Sequence, residues 1–270
     1  MHRAFLEKTL LHASKIAKDY FGTVTATAKN GDNIQVLTRA DIAIGRFITS
    51  EIKKLFPMYN IIDEEAGVTD KKSEYTWVID PIDGTSNYAA AVPLFGIMIG
   101  LLYKDHPIAG GVALPAFAEI CIAEKGRGAL CNGKPLHVTR ETDLGKVLIS
   151  YSLDGHPDSP DVTKKEGKMI AEIALTCRNI RASGSAFDAI MVAKGGYGAY
   201  LFQTGKIWDH VALQSIIEEA GGVYTDFFGK PMDYTNALQR ADENFTVCAG
   251  SSAIHRKVQD IIHSPRTNLL

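Results

Sequence analysis

Two aspartates stand three residues apart in the run Trp77-Val78-Ile79-Asp80-Pro81-Ile82-Asp83-Gly84-Thr85. An apolar strand leads here into a turn. Pro81 fixes one φ angle and removes an amide donor. Gly84 permits a positive φ or a close backbone approach, and Thr85 can open a short helix whose free amides suit an anion. Two carboxylates facing one another in a tight turn repel unless a cation sits between them. An oxygen-only donor set, without Cys or His, suits a hard ion such as Mg²⁺. Asp-Pro and Asp-Gly are also common turn pairs, so solvated turn formers are the other reading of this stretch taken alone.

Three more segments bring carboxylates to the ends of apolar runs. In Ile61-Ile62-Asp63-Glu64-Glu65-Ala66-Gly67 an apolar pair meets three consecutive acids, which a solvated loop would also explain. Ile207-Trp208-Asp209 precedes the helical pattern Val211, Ala212, Leu213, Ile216, Ile217 and Ala220, stopped by Gly221-Gly222. Asp209 is placed there as a helix N-cap, a role compatible with metal binding. Thr38-Arg39-Ala40-Asp41 reads on its own as a helix start.

The elements that must position these acids follow from periodicity. Phe5, Leu6, Leu10, Ala13, Ile16, Ala17 and Tyr20 recur at helical spacing, with Gly22 at the end. A polar stretch covers 23–35. Thr38 then opens a helix with Ile42, Ile44, Phe47, Ile48, Ile52 and Leu55, stopped by Pro57. Short apolar runs at 61–62, 77–79, 95–103, 108–114 and 120–123, punctuated by Gly, Pro and Asp, predict strands. From about residue 146 strands and helices alternate: strands near 147–152, 178–181, 198–202, 222–225 and 245–249, and helices near 161–175, 185–194, 210–220 and 252–262. Interleaving of this kind predicts sheets covered by helices. We expect one compact unit of two lobes, 1–145 with most of the acids and 146–270 with Asp209.

The chain has 270 residues, 46% hydrophobic and 22% charged, which excludes disorder as the main state. Its 29 basic and 31 acidic residues give a net charge of −2, so no basic excess points to nucleic acid. The charged N-terminal stretch lacks a signal-type apolar block. The longest uncharged run, 84–103, contains Asn87, Pro93 and three glycines and reads as turn, strand and loop rather than a membrane span. The four cysteines form no C-x-x-C pair, so neither a zinc site nor a disulfide framework is indicated, and a cytoplasmic protein is expected.

Together the four acidic segments resemble the inositol monophosphatase family of Mg²⁺-dependent, lithium-sensitive phosphomonoesterases. The resembling pieces are Val36-Leu37-Thr38-Arg39-Ala40-Asp41, Glu64-Glu65, Asp80-Pro81-Ile82-Asp83-Gly84-Thr85, and Trp208-Asp209 followed by Glu219-Ala220-Gly221-Gly222. Pro93-Leu94-Phe95, Gly126-Arg127-Gly128-Ala129 and Gly184-Ser185-Ala186 support it, and the similarity runs from about 5 to 262. The resemblance implies a layered α/β/α/β/α fold, a homodimer and a small phosphorylated alcohol as substrate. It implies that Glu64, Asp80 and the carbonyl of Ile82 hold one Mg²⁺, that Asp80, Asp83 and Asp209 hold a second, and that a third, weaker ion lies near Glu64. By the same resemblance Glu65 lies just behind the ions, Asp41 and Thr85 pair to orient the attacking water, and the amides of Gly84 and Thr85 grip the phosphate. Gly184, Ser185 and Ala186, with Asp83 and Asp209, line the substrate.

Some positions depart from that pattern. The acid that contacts inositol hydroxyls, seven residues before the Asp of Trp-Asp, is replaced by Phe202, which cannot accept those hydrogen bonds. Asp63 stands for the usual Gly and adds charge near the ions. His210 replaces an apolar residue and reads as a surface position of the helix, with a contact near the site as the other reading. Lys29 falls near the place of a mobile-loop lysine, but its spacing carries no role over. Histidinol phosphate, fructose bisphosphate and phosphorylated nucleotides are therefore substrate alternatives. A partner-binding protein on this fold and a metal-dependent nuclease or pyrophosphatase are the competing function classes.

Overall fold

The computed structural model describes residues 2–23, 27–29 and 32–265. The side chains of Lys29, Val36 and Leu37 lie outside the described ones. Helix α1 (His2–Tyr20) buries Phe5, Leu6, Leu10, Ala13 and Ala17, and Gly22 follows it at φ 75°. Strands β1 (Thr27–Lys29) and β2 (Asp32–Leu37) form an antiparallel ribbon that begins in the stretch read as polar and runs two residues past it. Helix α2 (Arg39–Leu55) starts at Thr38 through a reciprocal capping box with Asp41.

One sheet is built from β3 (Asn60–Asp63), β4 (Gly67–Thr69), β5 (Tyr75–Asp83), β6 (Gly96–Tyr103), β7 (His106–Leu114), β8 (Glu119–Glu124), β9 (Ala129–Cys131) and β10 (Lys134–Pro135), with the short helix α3 (Thr85–Ala89) after β5. Its order is β10-β9-β8-β7-β6-β5-β3-β4, antiparallel except for the β3/β5 pair. The second sheet follows from β11 (Leu148–Ser152), helix α4 (Pro160–Ala174), β12 (Asn179–Arg181), helix α5 (Ala186–Ala193), β13 (Ala199–Gly205), helix α6 (Val211–Glu219), β14 (Val223–Thr225), β15 (Phe245–Gly250) and helix α7 (Ser252–Ile262). Its order is β12-β11-β13-β15-β14, with β12, β11 and β13 parallel.

Three apolar cores set the layers. Ile44, Ile48 and Ile52 of α2 join Leu6 and Leu10 of α1 against Trp77 and Ile79 on the outer face of the larger sheet. Trp77 is fully buried between the rings of Phe5 and Phe56, a burial that contributes on the order of 2–3 kcal/mol. Between the sheets, Ala189 and Ile190 of α5 and Leu213 and Ile217 of α6 pack on Val112, Tyr200 and Val247. Met169 of α4 and Ile254 and Val258 of α7 cover the far face of the smaller sheet. The result is the α/β/α/β/α layering.

Gly100 and Glu219 fix α6 in this scaffold. A Cβ on Gly100 would lie 2.6 Å from Cγ1 of Val211 and 2.9 Å from the amide nitrogen of Ala212. The bare backbone of β6 is what lets the first turn of α6 rest on the larger sheet. Glu219, at the other end of α6, accepts hydrogen bonds from the amides of Gly126 (2.7 Å) and Gly128 (2.6 Å), clamping the β8–β9 turn.

Candidate active site and metal centre

Asp80 and Asp83 differ by three positions, so a regular strand would aim them at opposite faces of the sheet. The pairing of β5 with β6 slips between them: Asp80 faces Met98 and Asp83 faces Gly96, three residues of advance against two. This bulge turns both carboxylates to one side. Pro81, which has no amide to lose from the ladder, occupies the slipped stretch.

Asp209 reaches the same place from the smaller sheet. The chain leaves β13, makes a single 3-10 turn over Ile207–Asp209, and enters α6 on Gly100. The expected N-cap role of Asp209 does not hold. His210 occupies that position, and the Asp209 carboxylate bends back to accept from the Lys206 amide at 2.5 Å. Closure of the 3-10 turn takes one oxygen and points the group toward β5. Ligand oxygens of Asp80, Asp83 and Asp209 all lie within 4.8 Å of one another.

Such a gathering is costly for an all-protein site. Asp80 is 2% exposed, and its Oδ1 has no hydrogen-bond partner among the described residues. Burial, then the nearby charges of Glu64, Asp83 and Asp209, push its carboxyl well above the usual range. Burial and the Asp209 charge do the same to Asp83. Burial and the Glu64 charge raise Asp209 to about 7. An orphaned buried oxygen, three converging carboxylates and only hard donors fit a divalent cation.

Glu64 begins the turn after β3 and makes hydrogen-bond contact with Asp80. Its neighbour Asp63 does not join the carboxylate group. It is 1% exposed and accepts from the amides of Glu65 (2.9 Å) and Ala66 (3.1 Å) and from the Thr49 hydroxyl of α2 (3.0 Å). The extra acid therefore holds the turn that presents Glu64. Residue type alone could not separate these two roles; the position one step inside an apolar strand is the only hint.

Asp41 is fully buried and divides its oxygens. Oδ2 accepts from the backbone amide (2.8 Å) and hydroxyl (2.5 Å) of Thr38. Oδ1 lies 3.3 Å from the Thr85 hydroxyl, which also donates to the Ile82 carbonyl at 2.8 Å. Burial raises the Asp41 carboxyl despite the Thr38 bonds. One hydroxyl proton thus stands between two acceptors, two residues along the chain from Asp83.

Gly84 brings this group against the segment that opens α5. Its φ is +83°, and a Cβ there would lie 2.8 Å from the Cβ of Ser185. Asn87 of α3 reinforces the contact by donating to the carbonyls of Leu94 (2.7 Å) and Ser183 (2.6 Å). Ser185 caps α5 through Phe187, and the Ala186 amide donates to Oδ2 of Asp83. Gly184, Ser185 and Ala186 therefore stand directly against the metal-type acids. Phe202 is half-buried and packs with the core that contains Ala186.

His210 is not the surface residue its helical position suggests. It is fully buried, its Nδ1 lies 2.8 Å from the Tyr224 hydroxyl, and burial lowers its pKa to about 4. The 3-10 turn rotates the residue inward, which the periodicity of α6 alone does not show.

The model of the inositol monophosphatase family matches residues 3–262. A fructose-1,6-bisphosphatase/inositol-1-monophosphatase of Aquifex aeolicus is 30% identical over 256 residues, 91% of this chain and 89% of that protein. The Nus factor SuhB of Xylella fastidiosa is 31% identical over 221 residues, 81% and 78% of the two chains. The solved structure of an IMPase from Thermotoga maritima superposes with a TM-score of 0.84 at 29% identity, covering 97% of both chains. No described helix is long and apolar enough to cross a membrane.

Proposed function

The chain belongs to the inositol monophosphatase family, and we propose on that footing that it is a Mg²⁺-dependent phosphatase of a small phosphate monoester. The observation that carries this reading is the convergence of Asp80, Asp83 and Asp209 within 4.8 Å. Glu64, Asp80 and the Ile82 carbonyl would hold one ion and Asp80, Asp83 and Asp209 another, with a third, weaker ion near Glu64. Bound Mg²⁺ would neutralise the ester's charge and acidify a water molecule.

The remaining work belongs to the chain. The Thr85 hydroxyl, shared between Asp41 Oδ1 and the Ile82 carbonyl, orients water and passes its proton toward Asp41. The capping bonds from Thr38 keep Asp41 in place for that task. The amides of Gly84 and Thr85 face the phosphate. The turn at Gly84 is fixed by its contact with Ser185, so this grip is formed before substrate arrives. Gly184, Ser185 and Ala186 line the alcohol side. The apolar Phe202 on the same wall disfavours inositol 1-phosphate and favours an alcohol with fewer ring hydroxyls. Histidinol phosphate, fructose 1,6-bisphosphate and nucleotide 3′-phosphates remain in the same substrate class. A homodimer in the cytoplasm completes the proposal. The relative named as a Nus factor makes partner binding the second function class. The retained carboxylates favour catalysis in this chain.

Phosphate release from a panel of monoesters, with and without Mg²⁺ and Li⁺, tests the reading. It predicts Mg²⁺-dependent, Li⁺-inhibited turnover of at least one monoester. Preference for diesters or anhydrides, or no Mg²⁺-dependent release, overturns it.

A further inference from the structure

Cys121 on β8 and Cys131 on β9 are directly opposite in an antiparallel ladder. The neighbouring pair is closed by a hydrogen bond from the Asn132 amide to the Ile120 carbonyl (2.9 Å), so by alternation the cysteines occupy a non-hydrogen-bonded position. At such positions opposed Cα atoms lie about 4.5 Å apart, inside the range a disulfide spans. The two sulfurs are 2.7 Å apart, and both residues belong to the core between the sheets. Cys177 lies in the connection between α4 and β12, and Cys248 is buried on β15.

We propose that Cys121 and Cys131 form a reversible cross-strand disulfide, with hydrogen peroxide as oxidant and a dithiol as reductant. Cys131 reacts first. It retains 8% exposure where Cys121 has none, and the Cys121 hydrogen bond holds its thiol below the ordinary range while pushing that of Cys121 up. Burial and the Glu119 charge oppose this effect, and the Lys194 ammonium, paired with Glu119 at 2.7 Å, supports it to a smaller extent. The Cys131 thiolate attacks one peroxide oxygen, the O–O bond breaks, and the departing hydroxide takes up the thiol proton as water. The sulfur of Cys121 then attacks the resulting sulfenic acid, forming the S–S bond and releasing a second water with the Cys121 proton. Two thiols lose two electrons to one peroxide. The bond ties together the two strands whose turn Glu219 clamps from α6.

This proposal stands apart from the phosphatase reading, and its test reads sulfur chemistry alone. The full chain, folded in Mg²⁺ buffer, is treated with hydrogen peroxide, alkylated in denaturant, digested without reductant and weighed. We expect a Cys121–Cys131 linkage with a mass loss of about 2 Da, alkylation confined to Cys177 and Cys248, and full reversal by dithiothreitol. The Cys131→Ser chain should show no linkage. The wild-type chain oxidised while unfolded should lose the selectivity for this pair, which separates a fold-directed bond from chance pairing. Four alkylated cysteines after peroxide, a linkage through Cys177 or Cys248, or sulfinic acid at Cys131 in place of the bond overturns the proposal.

Discussion

Asp83 shows how much one residue carries. Its carboxylate accepts the Ala186 amide on one oxygen and meets Asp80 and Asp209 on the other side, so it joins the start of α5 to the point where cations would bind. Replacing Asp80, Asp83 or Asp209 singly by Asn removes a negative charge and keeps the volume. Each change should lower kcat by about 10²-fold or more, as loss of a charge-stabilising group does elsewhere. Steady-state phosphate release at saturating Mg²⁺ measures it; near-normal turnover in any of the three would remove that residue from the proposed machinery. At the substrate wall, Phe202→Glu restores a hydrogen-bond acceptor. It should raise kcat/KM for inositol 1-phosphate about tenfold relative to a monoester without ring hydroxyls. An unchanged ratio would show that Phe202 does not face the alcohol.

At the scale of elements, the site depends on how closely α6 approaches the larger sheet. Gly100→Ala places a Cβ 2.6 Å from Val211, and α6 must shift or the strand must bend. We expect a stability loss of about 1–3 kcal/mol in urea unfolding. We also expect weaker Mn²⁺ binding, because Asp209 sits one residue before the α6 N-cap. A stability loss with unchanged Mn²⁺ affinity would mean that Asp209 is positioned by its own 3-10 turn alone. The long helices were legible in the sequence because their apolar spacing is regular; α1, α2 and α7 fall where the periodicity puts them, whereas β5 runs on from the expected 77–79 run through the expected turn to Asp83. The β1–β2 ribbon and the strands β4, β9 and β10 are too short or too mixed in polarity to announce themselves. The bulge between Asp80 and Asp83 is equally silent, since nothing but Pro81 marks it.

In the whole molecule, metal, protons and folding are linked. Burial and mutual repulsion raise the carboxyls of Asp80, Asp83 and Asp209 above the usual carboxylate range, the last to about 7. Protonated in the metal-free fold, these groups favour it below about pH 4. That contribution is lost as pH rises through 7, because the folded state must then ionise buried acids that the unfolded chain ionises freely. The Tm of the metal-free protein should therefore fall between pH 5 and pH 8. Mg²⁺ should restore it most at pH 8, since the cation replaces the protons. A metal-free Tm that rises over this window would contradict the linkage. The acidic segments themselves were readable from residue types and order. Their division of labour was not: Asp63 holds a turn while Glu64 faces the site, and His210 packs inward because a 3-10 turn rotates it.

The most direct test of the central claim is anomalous diffraction from crystals soaked in Mn²⁺. The account predicts peaks between the carboxylates of Asp80, Asp83 and Asp209 and beside Glu64, with oxygen ligands only. Well-diffracting soaked crystals without anomalous density at that junction, or with Asp80, Asp83 and Asp209 turned away from one another, would contradict it.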